Sequence, residues 1–271
     1  LLVILTSKFD LLLFRYFFHS LEAKAYKNWR SITIASGDHV YVNFGGFVPI
    51  STVDWRGRAA CTVFLRGCPA RCFYCHNTAI QSGEDLRDAD EILAMIRSSR
   101  RVAGAVVFSG GEPTLQGPAL IHLAAASQKM GFSVGLHTNG MFPSVLEDLI
   151  DRHLVEMIAL DIKTTWERYD NLLGVATVDA VKESLAICRQ AKADGSLGSC
   201  QAVVTLFRGR ESDLPSIAEA TRGLDLVLQQ GVAAGFEPLT RQELEAAAAP
   251  LGRKIWIRTR EDGEVRYDPE E

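Results

Sequence analysis

Basic charge is not in excess in this chain. Its 271 residues carry 29 Lys and Arg against 33 Asp and Glu, a net charge of −4. Nothing in that balance suggests a nucleic-acid footprint, which would show as a basic patch. Cysteine is scarce, with six residues. So few, in a chain that is 47% hydrophobic and long enough to bury a sizeable core, do not make a disulfide scaffold. A reducing cytoplasm is the expected location. A clean apolar run is also missing. Leu1 to Ser20 is apolar and aromatic, but Lys8, Asp10 and Arg15 interrupt it, and a charge at the centre of a spanning helix costs about 2.5–3.5 kcal/mol. The pattern is no better as a signal peptide, so a membrane location is not expected. Internal repeats and low-complexity tracts are absent. The first Met is Met95, and residues 1–40 read as an atypical extension, translated from upstream of the true start. The other reading is a peripheral membrane anchor. Residues 41–271 read as one domain.

What is there centres on one loop. Cys68, Cys72 and Cys75 stand in the run C-P-A-R-C-F-Y-C, a C-x3-C-x2-C spacing. Iron–sulfur clusters are normally held by four thiolates, so three at this spacing suit a four-iron cluster with one iron open to a small molecule. Three other readings stand beside it. Zinc would take His76 as fourth ligand, but His76 directly follows Cys75, whereas structural zinc sites draw on separated pairs. Cys72 to His76 is a literal C-x-x-C-H for haem attachment, which leaves Cys68 unexplained. A disulfide framework is the third. Cys61, Cys188 and Cys200 lie in apolar stretches and read as buried free thiols.

From Val42 onward, strand-like runs alternate with amphipathic helical patterns. Strands are predicted at Cys61–Arg66, Ala105–Phe108, Ser133–Leu136, Met157–Ile162, Cys200–Leu206, Leu224–Gln229 and Lys254–Thr259. Helices are predicted at Asp90–Arg100, Leu120–Met130, Ser144–Arg152, Val178–Ala193, Ile217–Thr221 and Thr240–Ala249. This alternation argues for an α/β fold with a parallel sheet and right-handed crossovers. In parallel barrels the loops after the strands build the active face. Here those loops hold the cysteines, Gly110-Gly111-Glu112-Pro113, His137-Thr138-Asn139-Gly140 and Asp161-Ile162-Lys163, and their convergence points to an enzyme.

Each motif has a chemical and a bland reading. Gly110 and Gly111 let backbone approach a ligand, though many turns carry a glycine pair. Glu112 suits an ammonium group, and Pro113 stiffens the turn. His137, Thr138 and Asn139 suit ribose hydroxyls or a bound cation; Asn139-Gly140 also suits a plain turn. Tyr74 is placed to pack on a flat ring or to fill the core. Asp161 and Lys163 are a strand-end carboxylate and amine for the site, or a structural ion pair.

These residues resemble the radical S-adenosylmethionine (SAM) enzymes: the three-cysteine spacing, then Gly110 to Pro113, then Thr138-Asn139-Gly140. The stretch from Val42 to Thr259 is similar to activating enzymes of glycyl-radical proteins, and within them to the activators of anaerobic ribonucleoside-triphosphate reductase. Gly45-Gly46-Phe47-Val48-Pro49, Asp54-Trp55, Cys75-His76-Asn77, Asp161-Ile162-Lys163 and Tyr169 to Gly174 support the likeness. The resemblance implies a partial (β/α)6 TIM-type barrel over 41–271 and a [4Fe–4S] cluster on Cys68, Cys72 and Cys75. It implies SAM on the open iron, with its methionine end at Gly110 to Pro113, its adenine near Tyr74 and its ribose near Thr138 and Asn139. Reductive cleavage then gives methionine and a 5′-deoxyadenosyl radical, which takes hydrogen from a glycine of a partner enzyme. The implied partners are that reductase's large subunit and a flavodoxin- or ferredoxin-type electron donor. Lys163, with Asp161, would face the partner's loop.

The chain departs from this pattern at His137, where related activators carry an Asp that helps bind a monovalent cation. No second cysteine cluster follows Cys75, so an auxiliary-cluster domain is not expected. Two alternatives remain: a radical SAM enzyme acting on a small molecule such as a pterin-derived ring, and a non-enzymatic metal- or haem-binding module.

Overall fold

The computed structural model describes residues 39–271; the expected extension at 1–40 therefore lies almost wholly outside the described residues. Ten strands form one sheet. They are β1 (Tyr41–Ser51), β2 (Ala60–Leu65), β3 (Leu86–Asp88), β4 (Ala105–Gly110), β5 (Ser133–Thr138), β6 (Met157–Asp161), β7 (Ser199–Leu206), β8 (Asp225–Gln230), β9 (Ile255–Thr259) and β10 (Gly263–Tyr267). The sheet order is β10-β9-β8-β7-β6-β5-β4-β2-β1-β3. Neighbours from β2 through β9 are parallel. β1, β3 and β10 are antiparallel additions at the two ends. The six-stranded expectation is thus met by β2 and β4 to β8, with β9 as a seventh parallel strand.

Helices α1 (Ala89–Ser98), α2 (Gly117–Lys129), α3 (Pro143–Asp151), α4 (Tyr169–Leu173), α5 (Val178–Asp194), α6 (Leu214–Ala220) and α7 (Arg241–Ala248) occupy the crossovers. Their ends follow local chemistry. Asp88 caps α1 by accepting from the Asp90 N–H, and Thr240 and Glu243 close a reciprocal capping box at α7. Expected and observed boundaries differ by a few residues, as fraying ends do. β1, β3, β10 and α4 were not separately predicted, being short, glycine-interrupted or mixed in pattern.

Alternation along the strands divides the core in two. Val63, Phe108, Leu136, Leu160, Val204 and Leu228 face the helices in the main core. Ala60, Ala105, Val107, Met157, Ala159, Val203 and Val227 face inward and pack with Trp55 and Trp256 as a second, smaller core. The β1–β2 turn folds across the strand N-termini to build this plug. Trp55 lies where a Cβ on Gly135 would sit, 3.0 Å away, and the Arg56 guanidinium stacks 3.5 Å from the Trp256 ring centroid. Arg56 also bonds Glu264 of β10. The N-terminal end of the barrel is therefore stoppered.

The sheet has two unpaired edges among the described residues, so the barrel is partial. None of the described helices is long and apolar enough to cross a membrane. Asp268 pairs with Lys254 at 2.6 Å, its side chain 7% exposed.

Candidate active site

The polar ends of the strands open into one cavity of about 380 Å³, within the range of small-molecule sites. Cys68, Cys72, Cys75, Tyr74, Gly110, Gly111, Glu112, His137, Thr138, Asn139, Asp161 and Lys163 all line it. Pro113 does not; it is buried and starts a 3₁₀ turn.

The cysteine loop is tied down along its first half. The Gly67 and Cys68 N–H groups donate to Ile80 and Gln81 carbonyls at 2.8 and 3.0 Å, and Arg71 N–H donates to Leu173 O at 2.9 Å. Gln81 Nε2 holds Ala70 O at 2.8 Å. The Tyr169 to Gly174 stretch thus serves as a brace for the loop. Its Gly174 turns left-handed, and Asp170 accepts from Thr177 and Val178 N–H groups at the start of α5.

The glycine pair also has a packing role. A Cβ on Gly110 would stand 2.4 Å from Leu65 O, and one on Gly111 2.2 Å from Gly67 O. The close approach on this side is to the stalk of the cysteine loop, while both glycines also line the cavity. Gly110 also has φ of +125°, a region that side chains disfavour.

Glu112 is fully buried and knots the two turns together. It accepts from Thr114 N–H at 3.0 Å, Thr138 Oγ1 at 2.7 Å and Asn139 N–H at 2.7 Å, and from the Thr114 hydroxyl. Burial raises its pKa, partly offset by these donors. Asn139 Nδ2 lies 3.7 Å from Cys68 Sγ, a weak N–H···S bond, so the knot reaches a cysteine directly.

Just past the end of β6, Lys163 Nζ pairs with Asp161 Oδ2 at 2.7 Å and stands 5.7 Å from the Tyr74 ring centroid. Tyr169 OH braces the segment, accepting from Lys163 N–H and donating to Asp161 O, both at 3.3 Å. Burial alone would lower the Lys163 pKa; Asp161, Tyr74 and Cys72 outweigh it and keep the ammonium charged, well above the usual lysine range. His137 Nε2 meets Asp54 O at 2.8 Å, and burial depresses its pKa, so the ring is neutral near pH 7.

The donor set fits an iron–sulfur cluster and a bound small molecule. Three free cysteines share the cavity. Burial, reinforced by the Glu112 charge, pushes the Cys68 thiol up to about 12, and burial raises Cys72; the positive charge of bound iron is what offsets such a cost. Among the described residues, no three His, Cys, Asp or Glu side chains converge as a single ion requires, whereas a cluster offers each thiolate its own iron. The Tyr74 hydroxyl is buried with no partner, burial holding its pKa up, and its ring is packed by Phe73 and Phe207 at 4.9 Å.

Residues 62–217 match the Radical SAM superfamily. The chain belongs to it. The protein is accordingly a radical SAM enzyme, with a [4Fe–4S] cluster and SAM as its cofactors. It is 29% identical over 227 residues to a Methanocaldococcus jannaschii protein provisionally named a glycyl-radical enzyme activating enzyme, covering 79% of this chain and 88% of that one. It is 31% identical over 140 residues to the pyruvate formate-lyase 1-activating enzyme of Escherichia coli K12, covering 48% and 56% respectively. In three dimensions it is similar to TYW1 with a lysine–pyruvate adduct bound. That match has a TM-score of 0.59 over 81% of this chain and 84% of that chain, and at 16% identity it speaks to fold alone.

Sequence reading missed part of the wall. Asn77, Ser109, Thr205, Gln229 and Arg258 also line the cavity, and Asn77 Nδ2 donates to Gly110 O at 2.9 Å. The available signal was a polar residue at every second position as a buried strand nears its C-terminal end: Val203 then Thr205, Val227 then Gln229, Trp256 then Arg258.

Proposed function

We propose that this radical SAM enzyme is an activating enzyme that takes hydrogen from a glycine α-carbon of a partner protein. The partner is the large subunit of anaerobic ribonucleoside-triphosphate reductase, and electrons come from a flavodoxin- or ferredoxin-type donor. The observation that carries this reading is the likeness over 227 residues to the M. jannaschii protein. The choice of reductase rests on the sequence motifs around the cysteine loop and on the lack of any second cysteine cluster.

Cys68, Cys72 and Cys75 would hold the cluster, with Tyr74 and the Gly110 to Asn139 turns around SAM. When bound, these cofactors supply, from one donated electron, a hydrogen-abstracting radical. The chain's own residues do the rest. Glu112 fixes the two turns against each other, so their backbone groups are preorganised before anything binds. Asn139 donates to Cys68 Sγ, and hydrogen bonds to ligand sulfur tune cluster potential. The Lys163 ammonium, held by Asp161, presents a fixed positive charge beside Tyr74. The partial barrel leaves a side through which a polypeptide loop reaches the cavity.

The test is anaerobic EPR of reconstituted, reduced protein mixed with SAM and the reductase subunit from the same organism. A glycyl-radical doublet that requires all components is expected. A cluster signal that responds to SAM with no glycyl radical would overturn the partner and turn the search to small molecules.

A further inference from the structure

The wall away from the cysteine loop has no role so far. Thr205, Gln229 and Arg258 sit on adjacent strands β7, β8 and β9, paired in register as Thr205 with Gln229 and Gln229 with Arg258. All three line the cavity. One step below them are Val203, Val227 and Trp256, the apolar plug. The row is therefore a polar shelf on a dry floor.

Its hydrogen bonding is lopsided. Arg258 Nη1 donates to Gln229 Oε1 at 3.0 Å, and Nε donates to Glu264 Oε2 at 2.8 Å, with Nη2 on the same oxygen. Three of five guanidinium N–H groups are thereby used, leaving two without an acceptor among the described residues. With its oxygen taken by Arg258, Gln229 keeps its amide NH₂ free to donate, and the Thr205 hydroxyl has no partner recorded among the described residues. The shelf is an array of donors lacking acceptors.

Charge narrows the ligand. Glu264 is shared by Arg258 and Arg56, so the guanidinium is pinned and partly neutralised. Asp54 faces the same cavity, as does Asp161. Asp161 is already paired with Lys163, so a free carboxylate on the shelf would face Asp54 and a guanidinium whose charge Glu264 largely takes up, whereas an uncharged carbonyl oxygen needs only a donor. A peptide main chain offers such carbonyls at regular spacing.

We propose that Thr205, Gln229 and Arg258 form a substrate subsite that binds main-chain carbonyl oxygens of the polypeptide loop carrying the target glycine. This rests on the polypeptide-substrate reading above. Gln229 positions Arg258 for the loop and donates beside it, and Glu264 fixes the guanidinium from behind.

The probe is the capped heptapeptide acetyl-Ala-Ala-Ala-Gly-Ala-Ala-Ala-amide, which has almost nothing but main chain to recognise, with both glycine α-hydrogens replaced by deuterium. Full-length reconstituted protein is reduced with dithionite and given SAM and peptide, and the ratio of deuterated to total 5′-deoxyadenosine is measured. The ratio cancels any loss of cluster between variants. Peptide affinity is measured on the same samples by calorimetry. For Arg258→Gln the ratio is expected to fall at least tenfold, with peptide affinity weakened to a similar degree. Thr205→Val, which keeps shape and removes one donor, should lower both about threefold. Wild-type values in both variants would overturn the subsite. If Arg258→Gln yields no folded protein, Thr205→Val decides. A wild-type enzyme that makes 5′-deoxyadenosine but takes no deuterium from this peptide would also overturn it, while the glycyl-radical EPR of the whole partner judges the activating function separately.

Discussion

Replacing Gly111 with Ala should cost the protein its cluster without touching a ligand. The added Cβ would lie 2.2 Å from Gly67 O and 2.7 Å from Gly67 C, and both are backbone, so no side chain can swing away. Restoring an ordinary contact requires the two segments to part by about 1 Å, and overpacking of that kind costs about 1–3 kcal/mol. The same opening stretches two 2.8 Å bonds that join the segments, Gly111 N–H to Leu65 O and Glu112 N–H to Gly67 O, each worth about 0.5–1.5 kcal/mol. The entropy that Ala removes from the unfolded chain returns about 0.4–1 kcal/mol. The net is a loss of about 2–5 kcal/mol, a large part of an ordinary domain's stability, centred one residue from Cys68. Urea unfolding reads the stability, and iron and sulfide content after anaerobic reconstitution reads the site. Gly104→Ala is the control, because nothing lies within 4 Å of its Cβ. Gly111→Ala protein with control-like stability and full iron content would refute the claim that this pair exists to let the turn touch the cysteine stalk.

Alanine at Cys68, Cys72 or Cys75 should each abolish the four-iron cluster, measured as iron content and visible absorption, while alanine at Cys188, buried in α5, should leave both near normal. Because burial lowers the His137 pKa, below pH 6.5 the unfolded chain takes up a proton that the folded chain resists. Stability present above pH 6.5 should therefore be lost as pH falls, by up to about 1.4 kcal/mol per pH unit for this one group. Urea midpoints at pH 7.5 and 5.5 should show a smaller acid loss in His137→Gln than in the wild type; equal losses would mean that His137 is not the group responsible. Protein lacking residues 1–38 should fold and bind the cluster, since β1 begins at Tyr41 and the family match begins at residue 62; insoluble or iron-free protein would place the extension within the fold.

The order of strands and helices was legible because parallel strands buried on both faces are short, β-branched and apolar, and the crossover helices carry a helical period. The cysteine spacing was legible for a similar reason: the three residues sit in one loop, so they stay close in sequence. Glu112 shows the limit. Its place after Gly111 suggested a group for a ligand's ammonium, but nothing local foretold its bonds to Thr114, Thr138 and Asn139. The bond from Thr138 crosses 26 positions, and no local pattern encodes it. The glycine pair repeats the lesson, since its partners Leu65 and Gly67 belong to another strand and loop.

The sequence by itself determined the fold class, the grouping of three cysteines in one loop and the set of loops that meet at the site, because each depends on local spacing, periodicity or residue type. Only the tertiary structure decided what those loops do to one another. It turned Glu112 into a knot, aimed Tyr169 at the Asp161–Lys163 segment, stoppered the barrel with Trp55 and Trp256, and set Thr205, Gln229 and Arg258 side by side. Those relations depend on strand register and on which face of the sheet a residue meets, and both are fixed only when residues far apart in the chain pack together.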